Sequence, residues 1–147
     1  LNRLALPQPL VASEVARLRK GQDILNIDGT IKYKSAEVTY PPLPSYSYAF
    51  CSDTRYMPQL AQAVKDVDLM YHEASFLEEM ADRAVHTKHS TAKQAAQVAK
   101  DAGVKKLLLG HFSSRYASLE GFLKEAREIF ADTELAIEGE TFQIGQS

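Results

Sequence analysis

The amino-acid sequence predicts an α/β (α+β) fold in which one mixed sheet is covered by helices. From residue 46 onward, short apolar runs alternate with helical patterns, as in strands joined by crossover helices. Between residues 91 and 102, alanines recur at i, i+3, i+4, i+7 and i+10, which gives a narrow small-residue face that lets a helix lie close to a sheet. The length of 147 residues is enough to bury one core. We therefore expect a single domain over residues 1–147.

Composition excludes several classes of protein. The 17 Lys and Arg against 19 Asp and Glu give a net charge of −2, which argues against a generic basic nucleic-acid module. No apolar run approaches the ~20 residues of a membrane span. Cys51 is the single cysteine, so no intramolecular disulfide can form, and we expect a cytoplasmic protein. The sequence starts without Met or a signal peptide, which predicts a fragment.

The first forty residues predict a helix and a hairpin. The helix spans 13–20, with Ser13 as N-cap and Gly21 as its stop. The pair Asp28 and Gly29, between apolar runs, favours the tight turn of a hairpin. Prolines then fill most of 41–44, and since proline cannot donate to a sheet ladder, this stretch predicts a connector.

The remaining chain predicts alternating strands and helices, bounded by turn residues and by changes of apolar period. In order, they are strand 46–51, helix 58–67, strand 69–72, helix 76–84, helix 91–102 (ended by Gly103), strand 105–109, helix 119–130 and strand 134–137.

Two candidate ligands follow predicted strands. Asp53 comes just after strand 46–51, where a carboxylate lies on the rim at which helix-flanked sheets bind ligands, and its oxygens suit a divalent metal. The alternative is that Asp53 caps the following turn. His111 follows strand 105–109 and Gly110, so it is a candidate metal ligand or general base, or else a structural histidine.

Two further candidates lie near helix starts. Thr91 and Gln94 fit a capping box, and the same helix start could bind a phosphate oxygen, with His89 just before it placed to donate a proton. Glu73 follows strand 69–72 and could orient an imidazole, or could simply favour the next helix start.

Four segments together resemble the second half of the ribonuclease Z family, tRNA 3′-processing endonucleases of the metallo-β-lactamase superfamily. In chain order they are Ser-Asp-Thr-Arg (52–55), Tyr-His-Glu-Ala-Ser-Phe (71–76), His-Ser-Thr-Ala-Lys-Gln-Ala-Ala (89–96) and Gly-His-Phe-Ser-Ser-Arg-Tyr (110–116). The resemblance covers most of the chain. It also places residues 1–40 as the helix and hairpin that follow the tRNA-binding arm of the family, and 45–147 as the βα core.

The resemblance implies a site with two zinc ions that hydrolyses a phosphodiester. It implies that Asp53 bridges both ions and that His111 binds one of them. It implies that His89, a non-ligand, contacts the scissile phosphate and protonates the leaving oxygen, with Glu73 as the acid that orients it. The residues assigned to the substrate phosphate are Ser90, Thr91, Ser113 and Arg115.

The resemblance also implies the partners. The substrate would be precursor tRNA, cut to leave a 3′-hydroxyl, and the fold would be the C-terminal half of an αββα sandwich. The superfamily motif His-x-His-x-Asp-His is absent from these 147 residues, in which the closest histidines are His86 and His89. We therefore expect the chain alone to be inactive. We also expect its uncovered sheet face to drive homodimer formation or binding of the missing N-terminal half.

Two other functions stay open. One is a different metallo-β-lactamase-fold hydrolase, acting on small esters or phosphodiesters. The other is a non-catalytic interaction domain that binds an anion. The enzyme hypotheses require the Asp53 carboxylate and the His111 imidazole to converge on one cleft, with His89 a few ångströms away.

Overall fold

The computed structural model describes residues 1, 6, 9–40 and 45–145. The chain divides into two compact units, Leu1–Pro44 and Ser45–Ser147. The predicted proline connector, 41–44, lies outside the described residues.

The first unit contains the predicted helix and hairpin. Its elements are α1 (Ala12–Arg19), β1 (Ile24–Leu25), β2 (Ile31–Tyr33) and α2 (Ser35–Val38). β1 and β2 pair antiparallel, which confirms the hairpin. Gly29 has a φ of +84°, and the Asp28 carboxylate accepts the N–H of Thr30 at 3.0 Å, so both turn residues act as predicted.

The assignment of Ser13 as N-cap was wrong. α1 begins at Ala12, after Val11, so Ser13 lies inside the first turn. The Glu14 carboxylate instead accepts the N–H of Val11 at 3.1 Å, which satisfies a donor that the N-cap would otherwise leave to water. The predicted stop is confirmed, because Gly21 follows the helix with a φ of +76°.

The second unit confirms the α/β class. It contains β3 (Tyr48–Cys51), α3 (Leu60–Ala63), β4 (Leu69–Glu73), α4 (Ala81–Thr87), α5 (Ala92–Ala102), β5 (Lys106–Gly110), α6 (Glu120–Arg127) and β6 (Thr133–Leu135), with a 3₁₀ turn at Glu78–Met80. The strands form one four-stranded sheet in the order β3-β4-β5-β6. Each neighbouring pair is parallel, where a mixed sheet was expected, because a helical crossover joins each strand to the next. The carboxyl ends of the strands therefore meet at one edge.

The core lies between one face of this sheet and the helices. All five alanines of the predicted face of α5 are at most 2% exposed, and they pack with Met70, Leu107 and Leu109 of the sheet and Phe122 of α6. Small side chains let α5 approach the strands closely. The Thr91–Gln94 capping box begins α5 and Gly103, with a φ of +65°, ends it, both as predicted.

Two predicted helices differ most from those observed, and helix 119–130 is observed as the shorter α6. Helix 58–67 shrinks to α3, because Asp66 adopts a φ of 57° and donates its N–H to the carbonyl of Ala102, which turns the chain into β4. Helix 76–84 begins later, since Phe76 pairs as an isolated bridge with Thr91 and is held extended. Only after it does the chain wind into the 3₁₀ turn and α4.

The other face of the sheet is aromatic and open within the described residues. Tyr48 and Phe50 are 49% and 65% exposed, and Phe50 stacks on Tyr71 with ring centroids 4.7 Å apart. Side chains alternate along a strand, so these rings lie opposite the helical core. In the part of the chain that the structure describes, no helix is long and apolar enough to cross a membrane.

Candidate metal centre

The candidate residues gather at the carboxyl edge of the parallel sheet. Glu73 is the last residue of β4, Asp53 lies two residues beyond β3, and His111 directly follows β5. His89 precedes Thr91, the N-cap of α5. The bridge between Phe76 and Thr91 holds the start of α5 against the segment that leaves β4, which brings His89 to the same edge.

Three of these side chains form a compact cluster. One ligand atom each from Asp53, His89 and His111 lies within 4.8 Å of the other two. Nε2 of His111 is 3.0 Å from Oδ1 of Asp53. The His89 and His111 rings stack, with centroids 5.3 Å apart. The convergence that the enzyme hypotheses require is therefore observed.

The backbone at Asp53 and His111 is unusual. Their φ angles are 51° and 58°, in the left-handed region that side chains rarely adopt. Within the described residues, only Asp66 and Lys88 share this property among non-glycines. Such a conformation costs roughly 1–3 kcal/mol per residue and persists where the surroundings impose it, often at functional sites.

Glu73 lies beneath the cluster as a fully buried acceptor. Its Oε1 accepts from the N–H of Thr54 at 3.2 Å and from Nδ1 of His89 at 2.8 Å. Its Oε2 accepts from the N–H and the hydroxyl of Ser75, both at 3.0 Å. The side chain is 0% exposed, so these contacts replace water entirely. Because Glu73 engages Nδ1 of His89, Nε2 is the ring nitrogen left for chemistry.

The predicted phosphate-binding residues divide into two pairs. Ser90 and Thr91 are fully buried, and their hydroxyls donate to the Thr54 carbonyl and the Glu78 carboxylate, each at 2.7 Å. These contacts favour a structural role for both hydroxyls.

The second pair lies nearer the surface. Arg115 is exposed, donates to the Ser113 hydroxyl at 3.2 Å, and stacks its guanidinium 5.3 Å from the Phe76 ring centre. Beside it, an open cleft of about 830 Å³ adjoins the cluster and is lined by Tyr71, His111, Phe112, Ser113, Tyr116 and Ile137, among others.

Sequence reasoning missed Ser75. Its hydroxyl contacts Glu73 and also lies 3.0 Å from Nδ1 of His111, 36 residues along the chain. The only sequence signal is its place two residues after Glu73, and a serine there has many explanations.

His72 supports the site from below without joining it. It is fully buried, and its Nδ1–H donates to the Glu73 carbonyl at 2.7 Å. Burial lowers the pKa of its imidazole. Among the described residues, nothing bonds its Nε2. The neutral ring therefore anchors the end of β4.

The chain is similar in sequence and in fold to several known proteins. A family model for the beta-lactamase superfamily domain matches residues 43–112. The crystal structure of the metallo-beta-lactamase fold protein YhfI from Bacillus subtilis has a TM-score of 0.61 and 24% identity over 65% of this chain and 39% of that one. At that identity the likeness concerns the fold.

The relatives in sequence are ribonucleases Z. The chain is 50% identical to the Cytophaga hutchinsonii protein over 144 residues, which cover 98% of this chain and 46% of that protein. It is 44% identical to the Porphyromonas gingivalis protein over 121 residues, or 82% of this chain and 40% of that one. It thus spans about half the length of the curated relatives it matches. The chain is thus similar in sequence to the ribonucleases Z over 98% of its length, and residues 43–112 match the beta-lactamase superfamily domain.

Proposed function

We propose that this chain is part of a zinc-dependent endoribonuclease that removes the 3′ trailer from precursor tRNA and leaves a 3′-hydroxyl. The observation that carries the proposal is the cluster of Asp53, His89 and His111 at one sheet edge, in a chain related to ribonucleases Z over almost its whole length. A precursor tRNA substrate also implies a cytoplasmic location.

The donor set fits zinc. Zinc in proteins takes imidazole nitrogen and carboxylate oxygen ligands. His111 and Asp53 supply one of each, with Nε2 of His111 3.0 Å from Oδ1 of Asp53. These two residues would hold the metal. When bound, the metal would lower the pKa of a water molecule and so supply a hydroxide that can attack a phosphodiester. The whole enzyme would hold two such ions.

His89 is proposed as the proton donor to the leaving oxygen. Glu73 holds its Nδ1, so the proton that His89 transfers is the one on Nε2. That nitrogen would face the 3′ oxygen of the tRNA as it leaves the phosphorus. Proton transfer of this kind contributes roughly 10²–10⁴-fold to rate.

The exposed groups beside the cluster are proposed to bind the RNA backbone. Arg115 is held over Phe76 and bonded to Ser113, which presents a charged donor next to the cleft at His111. Guanidinium groups bind phosphate oxygens through two parallel hydrogen bonds. Ser90 and Thr91 would support this surface through the start of α5.

The cluster offers fewer ligands than two zinc ions require. Each ion takes about four ligands, and the described residues offer three candidate groups. We therefore propose that the chain alone is inactive and that the other half of the relatives' length supplies the missing ligands. The open aromatic face of the sheet would bind that half, or a second copy of this chain.

The test is cleavage of precursor tRNA by the whole gene product that contains this chain. We expect a product ending in a 3′-hydroxyl, strict dependence on added Zn²⁺, and no cleavage by residues 1–147 alone. His86→Ala is the matched control for His89→Ala, since His86 is exposed on α4. Failure of the whole product to cleave, or equal activity in both variants, would refute the proposal.

A further inference from the structure

We infer that Ser75 is a positioning residue that keeps a proton on Nδ1 of His111, so that Nε2 is the nitrogen presented beside Asp53. The inference deepens the proposed function, because it concerns how a metal ligand of that same site is prepared. It rests on the contacts that the buried Ser75 hydroxyl makes with Glu73 and His111.

The Ser75 hydroxyl has three polar neighbours. Its oxygen lies 3.0 Å from Oε2 of Glu73, 3.0 Å from Nδ1 of His111 and 3.1 Å from the carbonyl oxygen of His111. Ser75 is 4% exposed, so water cannot easily replace any of them. The hydroxyl has one hydrogen to share among these contacts.

The donor and acceptor roles follow by elimination. The Glu73 carboxylate and the His111 carbonyl accept from the Ser75 hydroxyl and have no hydrogen to give back. The imidazole nitrogen is the one neighbour of the three that can donate. All contacts are used best when Oγ–H donates to an oxygen and Nδ1–H of His111 donates to Oγ. An Nδ1 without a proton would accept the single hydrogen of the Ser75 hydroxyl, and neither oxygen would then receive a hydrogen bond from that hydroxyl.

The opposing influence is Asp53. Its carboxylate lies 3.0 Å from Nε2 of His111 and would draw the proton of a neutral ring to that side. The Asp53 side chain is 71% exposed, whereas Ser75 is buried. Solvent therefore weakens the attraction between Asp53 and Nε2 far more than the hydrogen bond between Ser75 and Nδ1. Ser75 therefore decides the tautomer. A neutral ring with its proton on Nδ1 leaves Nε2 free to bind a cation.

The network also makes Glu73 a shared support. One oxygen orients His89 directly, and the other orients His111 through Ser75. Removal of the Ser75 hydroxyl should thus disturb His111 and leave His89 in place. This separation gives the inference its test.

The experiment uses the gene product that contains this chain, with ¹⁵N-labelled histidine and the variants Ser75→Ala, Ser75→Thr and Ser114→Ala. Ser114 is exposed and serves as the control. Long-range ¹H–¹⁵N spectra, at a pH where the ring is neutral, identify the protonated nitrogen of His111 without metal. Calorimetry with ZnCl₂ alone then measures affinity.

We expect the proton on Nδ1 in the wild type and in Ser75→Thr, and on Nε2 in Ser75→Ala. Zinc affinity should fall about 10–100-fold in Ser75→Ala, with the His89 signals unchanged. An Nε2 proton in the wild type, or unchanged tautomer and affinity in Ser75→Ala, overturns the inference. If Ser75→Ala does not fold, the wild-type and Ser75→Thr tautomers still decide.

The tautomer measurement needs neither metal nor RNA. A His111 proton on Nδ1 that Ser75→Ala moves, in a protein that never cleaves precursor tRNA, would refute the proposed function and support the role of Ser75. Cleavage of precursor tRNA by a protein whose His111 tautomer is unaffected by Ser75→Ala would support the proposed function and refute the role of Ser75.

Discussion

Glu73 Oε1 lies 2.8 Å from Nδ1 of His89, and the carboxylate that makes this contact is completely buried. A fully desolvated acid in this position fixes the orientation of the imidazole that faces the cluster. The contact joins the end of β4 to the segment before α5, and it exists only because the strand and the helix start meet at one edge.

Glu73→Gln should slow cleavage by the whole gene product about 10–100-fold. Glutamine keeps the size of the side chain but offers a single acceptor oxygen, so it cannot serve the four donors that Glu73 serves. Single-turnover cleavage of precursor tRNA measures the effect, with the exposed Glu79→Gln as control. An unchanged rate in Glu73→Gln would show that His89 needs no such support.

His89→Ala should lower the cleavage rate roughly 10²–10⁴-fold while bound zinc stays nearly constant. The reason is that His89 is assigned to proton transfer and Asp53 to the metal, although both lie within 4.8 Å of the other ligand atoms. Zinc content by atomic absorption, measured beside the rate, separates the two roles. Equal zinc loss in His89→Ala and Asp53→Ala would make His89 a ligand instead.

Acid should destabilise the fold partly through Asp68. Its carboxylate accepts from Lys105 Nζ at 2.6 Å and from Ser47, and these contacts lower its pKa from 3.8 to about 2. The unfolded chain therefore binds the proton at higher pH than the folded one. The stabilisation is complete above about pH 4 and is lost as the pH falls towards 2.

Urea unfolding of the wild type and of Asp68→Asn tests this window. The wild type should be the more stable above pH 4, and the difference should vanish near pH 2. A difference that stays constant across that range would exclude the ionic contact with Lys105 as its source.

The open aromatic face should cause association. We expect residues 1–147 to sediment above the monomer mass and to bind an apolar dye, because Tyr48 and Phe50 expose about half or more of their surfaces. Serine at both positions should reduce both signals. Val85→Ser, on a 68% exposed residue of α4, is the control. A dilute wild-type monomer with no dye binding would contradict this account.

Gly110→Ala should destabilise the fold by about 1–3 kcal/mol. A Cβ atom there would meet the Tyr71 ring at distances below 3 Å, so the ring must move. Thermal unfolding measures the loss. Adding Tyr71→Ala to the Gly110→Ala variant should recover much of the lost stability, because it removes the ring that the new Cβ meets. If the effects of the two substitutions simply add, the clash with Tyr71 is not the cause.

The strand ends were the most predictable part of the site. Asp53 and His111 follow short apolar runs bounded by turn residues, which predict strands, and parallel strands bring their carboxyl ends together. The expected roles of these residues as metal ligands came from the four segments that resemble ribonucleases Z.

Contacts between distant segments were not predictable. The helix predicted over 58–67 is cut short by a hydrogen bond from Asp66 to Ala102, which local sequence does not encode. The role of Ser75 depends on His111 approaching it from another strand. The partners of the Ser90 and Thr91 hydroxyls likewise belong to other segments.

Zinc calorimetry on the whole gene product measures whether Asp53 and His111 hold a metal together. We expect tight binding in the wild type and in the surface control Asp101→Ala, and loss of at least one bound ion in Asp53→Ala and in His111→Ala. Wild-type stoichiometry and affinity in both of these variants would contradict this expectation.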